Sequence, residues 1–143
     1  RSGGVTARRL RTTEAAEHLA GLADRLVAGV ASGRDAHGVD GRMEQYCTGS
    51  AKLVFGSQPL RNWRDLHAYY QRHQRGKVVP MQEGLMKRGV MASRLSFLMS
   101  SPMTEADIDF SISAFADAVG YLPPHDSDEA SPSPRPAYGA EAT

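Results

Sequence analysis

From position 13 the apolar residues fall at three- and four-residue spacing. Leu19, Leu22, Ala23, Leu26, Val27 and Val30 line one side of a helix that starts at Thr13. Ser32 and Gly33 are expected to end it, and Gly33, Gly38 and Gly41 to mark the following loop, because glycine supplies backbone conformations that other residues resist. The pattern then shortens. Residues 43–47 and 51–55 read as two strands separated by Thr48, Gly49 and Ser50, a hairpin-like spacing. Gln58, Pro59 and Leu60 make a connector, after which Asn62 is placed to cap a helix with Trp63, Leu66 and Tyr70 turned inward. Pro80 suits the start of another helical stretch over residues 80–88, since its missing N–H has no partner there in any case. Lys87 and Arg88 suit its carbonyl end, and Gly89 can close it in the left-handed conformation. Residues 90–100 form an extended run with Val90, Met91, Leu95, Phe97, Leu98 and Met99 as its apolar content. Thr104 then opens a last helix, with Asp107 as the reciprocal partner of a capping box and Ile108, Ile112, Phe115 and Val119 on one face.

Helices plus a few short strands predict an α+β domain over residues 13–122: a small, mainly antiparallel sheet with helices packed on one face. A chain of 143 residues that is 41% apolar has enough material for one such core. Residues 1–12, with four arginines and no apolar period, are expected to be a disordered start. Residues 123–143 are expected to be a disordered tail, because five of the eight prolines fall there among Ser, Asp, Glu and Ala. No apolar run approaches the ~20 residues that cross a bilayer, so no membrane partner and a cytoplasmic location are expected. Cys47 is the single cysteine, which excludes an internal disulfide and a cysteine-rich zinc site. A net charge of +1 gives no global attraction to nucleic acid.

Residues 85–90, Leu-Met-Lys-Arg-Gly-Val, followed by an extended run and then by Thr104-Glu105-Ala106-Asp107-Ile108-Asp109, resemble the C-terminal small domain of class III pyridoxal-phosphate-dependent aminotransferases. The glutamate-1-semialdehyde aminomutase-like branch is the most similar. That family carries "Leu-x-x-Arg-Gly-Val", a strand, and "Thr-Glu-x-Asp-Ile-Asp" at these places. Its "Thr-Gly-x-Gly-Ser" is kept only in part, as Thr48-Gly49-Ser50-Ala51. The resemblance implies an enzyme that moves an amino group between an amine and a carbonyl, or within one molecule. It also implies pyridoxal 5'-phosphate as cofactor of the full-length relatives, a large N-terminal portion as partner, and a homodimer.

The same resemblance implies that the Schiff-base lysine lies outside this chain. Lys52, Lys77 and Lys87 are the three lysines, none in a matching context, and each is expected to be a solvated cation. No catalytic, cofactor-binding or metal residue is expected, and no cofactor is expected to bind the chain alone. The carboxylate-gripping arginine of many class III enzymes would fall at Leu98, so that clamp is missing. Arg94 is the one weak candidate for a substrate carboxylate.

A competing signal is residues 61–77, where five Lys or Arg interleave with Trp63, Tyr69 and Tyr70, a mixture used by single-stranded nucleic-acid binders. An amphipathic helix with an apolar side turned inward and Arg64, Arg72 and Arg75 solvated explains the same residues, so nucleic acid is the second choice. His67 and His73 are six apart and do not share a helical face. Cys47 is expected to be packing within a strand, and Asp107 and Asp109 to serve capping and the helix dipole.

Overall fold

The computed structural model describes residues 13–123. The expected terminal segments 1–12 and 123–143 lie outside the described residues, except for residue 123 itself. The elements run α1 (Thr13–His37), β1 (Gly41–Glu44), β2 (Ser50–Phe55), α2 (Trp63–His73), a π-helical turn (Gln74–Val78), α3 (Val79–Lys87), a 3-10 turn (Ser93–Leu95), β3 (Ser96–Leu98), α4 (Glu105–Ala118) and a last 3-10 turn (Val119–Tyr121). The three strands form one antiparallel sheet in the order β1-β2-β3, so the expected fold class holds.

α1 buries Leu19, Leu22, Ala23, Leu26 and Val30, as its period requires. It does not stop at Gly33. The helix continues to His37, with Gly29 allowing the close approach of Ile112 from α4 and Gly33 facing the Phe115 ring, from which a Cβ would stand 3.4 Å. The terminating glycine is Gly38, at φ +65°, where the Val39 N–H donates to the Arg34 carbonyl at 3.0 Å.

The first strand lies at Gly41–Glu44 rather than 43–47, with Glu44 opposite Lys52 and Gly41 opposite Phe55. Arg42 holds this register by donating to the carbonyls of Gly56 at 2.6 Å and Gln58 at 2.8 Å. Tyr46 and Cys47 therefore fall in the turn, which Gly49 closes at φ +78°. The free Cys47 is exposed, a correction to its expected packing in a strand. β2 is buried at all six positions and is the centre of the sheet.

α2 is capped as expected by Asn62, whose side-chain oxygen accepts from the Arg64 and Asp65 N–H groups. Its inward face is different. Tyr69 is buried, Leu66 and Tyr70 are half-buried, and Trp63 is 73% exposed. The reason is a specific bond: the Phe55 N–H at the end of β2 donates to the Tyr69 hydroxyl, which fixes the rotation of α2 about its axis. Burial first, opposed by that bond, leaves the Tyr69 phenol pushed up to about 12.

Only Ser96–Leu98 of the run 90–100 is strand, pairing with residues 50–52. Before it the chain turns sharply, with Arg94 at φ 50° and Leu95 at φ 60°, and the Leu95 side chain fully buried. Two successive non-glycine residues in the left-handed region are costly and persist because the surroundings fix them. Here the Arg94 N–H donates to the Gln82 side chain at 2.9 Å and the Leu95 N–H to the Ala92 carbonyl at 2.9 Å. Thr104 and Asp107 form the expected capping box of α4, and Ile108 and Phe115 are buried, with Ile112 and Val119 packed partly against the core.

Candidate functional site

The sheet brings together residues that the sequence keeps apart. Lys52, in the middle of β2, is only 8% exposed, which corrects its reading as a solvated cation. A lysine in a central strand must place its ammonium somewhere, and α2 supplies the partner: Lys52 Nζ donates to the Tyr70 hydroxyl at 2.5 Å and lies 4.9 Å from the centre of that ring. Arg94, delivered by the left-handed turn before β3, sets its guanidinium 5.1 Å from the same ring. The weak carboxylate candidate is thus exposed, as expected, and shares the Tyr70 ring with the buried Lys52.

Beside Lys52 an open depression of about 400 Å³ is lined by Tyr46, Leu60, Arg61, Asn62, Leu66 and Ser96. No carboxylate lines it. Glu44, opposite Lys52 in the sheet, is occupied elsewhere: one oxygen accepts from Arg42 at 2.6 Å and the other from the Tyr46 hydroxyl at 2.6 Å. A larger groove of about 730 Å³ lies past the end of β2 and includes Asp40, Asp65, Arg72 and Lys77, so charges of both signs meet there. A third depression, about 430 Å³, is mostly apolar at its rim, where Met91 (86% exposed), Leu98 (74%) and Phe110 (55%) surround it.

The other lysines are placed without such surroundings. Lys87 is exposed and rests 4.5 Å over the Tyr121 ring, whereas Lys77 is half-buried and engaged. His73 packs against Phe55 and Tyr69, with ring centres 6.5 Å and 5.0 Å away, while His67 is exposed. Among the described residues no group of three His, Cys, Asp or Glu side chains could hold a metal ion. Asp107 acts in the cap: the Thr104 N–H and then its hydroxyl lower the carboxyl below its ordinary range. Asp109 does something else. It takes two bonds from Arg25 of α1, at 2.7 Å and 2.9 Å, and that pairing lowers its carboxyl too. No helix among the described residues is long and apolar enough to cross a membrane.

The signal for Lys52 was present in the sequence as a single charge inside the apolar run 51–55. What could not be read was its partner, because Tyr70 reaches it only through the rotation of α2 set by Tyr69.

No protein-family model matches the chain, and no curated protein sequence matches it. Solved structures similar to it in fold include two transaminases. An omega-transaminase from Sphaerobacter thermophilus superposes with a TM-score of 0.61 at 24% identity, over 79% of this chain and 25% of that one. A transaminase with PLP bound superposes with a TM-score of 0.62 at 21% identity, over 83% of this chain and 26% of that one. The chain therefore has the fold of one part of a transaminase and spans about a quarter of the length of these two.

Proposed function

We propose that residues 13–122 are the C-terminal small domain of a pyridoxal-phosphate-dependent class III aminotransferase of the glutamate-1-semialdehyde aminomutase-like branch. The observation that carries this reading is the superposition on a transaminase over 79% of the chain but only 25% of the enzyme. The motifs at residues 85–90 and 104–109 support the branch. In the full enzyme the domain would border the active-site entrance, join a large domain, and take part in a cytoplasmic homodimer. The reaction would transfer an amino group between molecules or within one, and Arg94 is the residue of this chain offered to a substrate carboxylate.

When bound, the cofactor supplies an electron sink for a carbanion next to nitrogen. The side chains of this domain do not by themselves fit it. Among the described residues the buried amine is Lys52, which gives one hydrogen bond to Tyr70, and the depression beside it offers no carboxylate for a pyridinium nitrogen. On this reading the isolated chain is catalytically silent and the Schiff-base lysine belongs to the large domain. The test is titration of the chain with pyridoxal phosphate, borohydride reduction and peptide mass analysis. No single lysine should gain the cofactor; stoichiometric attachment to one lysine would end the claim of silence.

A second reading, a nucleic-acid or protein binding module on residues 61–77, is favoured by one observation, the exposed Trp63 beside Arg61 and Arg64. It requires salt-dependent retention of short single-stranded oligonucleotides with quenching of Trp63 fluorescence. Absence of retention at low ionic strength removes it.

A further inference from the structure

Lysine is rarely buried without a counter-charge, because moving an ammonium out of water costs several kcal/mol unless a partner repays it. Lys52 has three donors and is nine-tenths buried, yet it uses one donor, on Tyr70, and forms no ion pair among the described residues. Glu44 is the acid opposite it in the sheet, and both Glu44 oxygens are taken by Arg42 and Tyr46. The two other Lys52 donors have no protein acceptor among the described residues.

The depression that Lys52 borders has a largely apolar wall of Tyr46, Leu60 and Leu66, to which Lys52, Arg61, Asn62 and Ser96 bring hydrogen-bond donors. Arg61 brings a second cation to its rim, and its backbone N–H is already given to Asp65 at 2.9 Å. The Asn62 oxygen is spent on capping α2, which leaves its amide N–H groups. Ser96, opposite Lys52 on β3, adds a hydroxyl with no other partner among the described residues. The N-terminal end of the 11-residue helix α2 contributes its positive pole, partly offset by Asp65 in the first turn.

From these observations we infer that the depression between β2, β3 and the start of α2 binds the oxyanion of a small molecule, a carboxylate or a phosphate. Lys52 is the buried cation, Arg61 the cation at the rim, and Asn62 and Ser96 the neutral donors. Tyr70 positions Lys52, holding its ammonium from one side so that the remaining donors face the opening. Arg94, over the same ring, adds positive potential without lining the wall. This goes beyond the family reading and does not depend on it.

The test uses the full 143-residue chain. Inorganic phosphate and succinate are titrated separately against sodium chloride at matched ionic strength. Amide chemical shifts of Lys52, Asn62 and Ser96 are followed together with the acetylation rate of the Lys52 amine relative to Lys87. Saturating shifts at these three residues with protection of Lys52 are expected from at least one oxyanion. Saturation by phosphate alone identifies a phosphate ligand, by succinate alone a carboxylate ligand, and by both an oxyanion site that does not discriminate. Lys52→Met should weaken binding about tenfold or more, and Arg61→Gln by roughly two- to fivefold, since charge-assisted bonds are the strong ones. Shifts no larger than those of chloride overturn the inference. So does unchanged affinity in a Lys52→Met variant that keeps its far-UV signal and melting transition. If that variant does not fold, Arg61→Gln decides: unchanged affinity together with an unprotected Lys52 amine overturns the inference as well.

Discussion

Thr104 shows how one side chain sets the start of an element. Its hydroxyl accepts the Asp107 N–H while the Asp107 carboxylate accepts the Thr104 N–H at 2.7 Å. Thr104→Ala should lower stability by about 1 kcal/mol, read as a shift of the urea midpoint with an unchanged slope. Asp107 and Asp109 both titrate below their ordinary range in the folded chain, through Thr104 and Arg25 respectively. Their stabilisation is complete above the unfolded-state value near ~3.9 and is lost as pH falls through the lowered native values. Acid unfolding of Thr104→Ala should accordingly depend less steeply on pH in that window. An identical dependence would remove the cap as its cause. The Thr104 cap was legible because capping is local, three residues apart. The Arg25–Asp109 pair was not, since it joins side chains 84 positions apart that meet only after α1 and α4 have docked.

Elements were legible where their signal is periodic or local, and misread where tertiary contact overrides it. α1 and α4 were found from apolar spacing, and the Asn62 and Thr104 caps from residue type. Gly33 read as a stop because glycine disfavours helix interiors, yet it lies inside α1, facing the Phe115 ring of α4. The run 90–100 read as one strand because its composition is apolar, but β2 offers β3 a partner over only three residues. Gly84 of α3 is a further case of space taken by a neighbour. A Cβ there would come within 2.9 Å of the Ala118 Cβ and 3.0 Å of its Cα on α4, and 2.8 Å of the Tyr121 ring. Gly84→Ala should destabilise by about 1–3 kcal/mol, despite alanine's higher helix propensity, because α3 and α4 must move apart. A melting temperature equal to or above that of the parent would show that the gap can open without cost.

At the scale of the whole molecule, the depression rimmed by Met91, Leu98 and Phe110 is apolar surface left on an otherwise buried core. If the proposed function holds, neighbouring protein of the full enzyme would cover it. Alone, the domain should self-associate through it at raised concentration. Leu98→Ser combined with Met91→Ser should reduce that association in sedimentation velocity and leave the melting temperature within about 0.5 kcal/mol equivalent, because both side chains are exposed in the monomer. Unaltered sedimentation would assign the contact to another surface. The likeness to part of a transaminase was legible in the motifs at residues 85–90 and 104–109, whereas the fold is shared with enzymes of which this chain spans a quarter and so does not by itself name an activity.

The outer strands of the sheet are four and three residues long. Such short margins offer an incoming chain only a few main-chain bonds, too few to template further layers. Whatever clusters this domain forms when concentrated should therefore stay reversible on dilution and give no thioflavin signal, with the fold acting as its own safeguard against fibre growth.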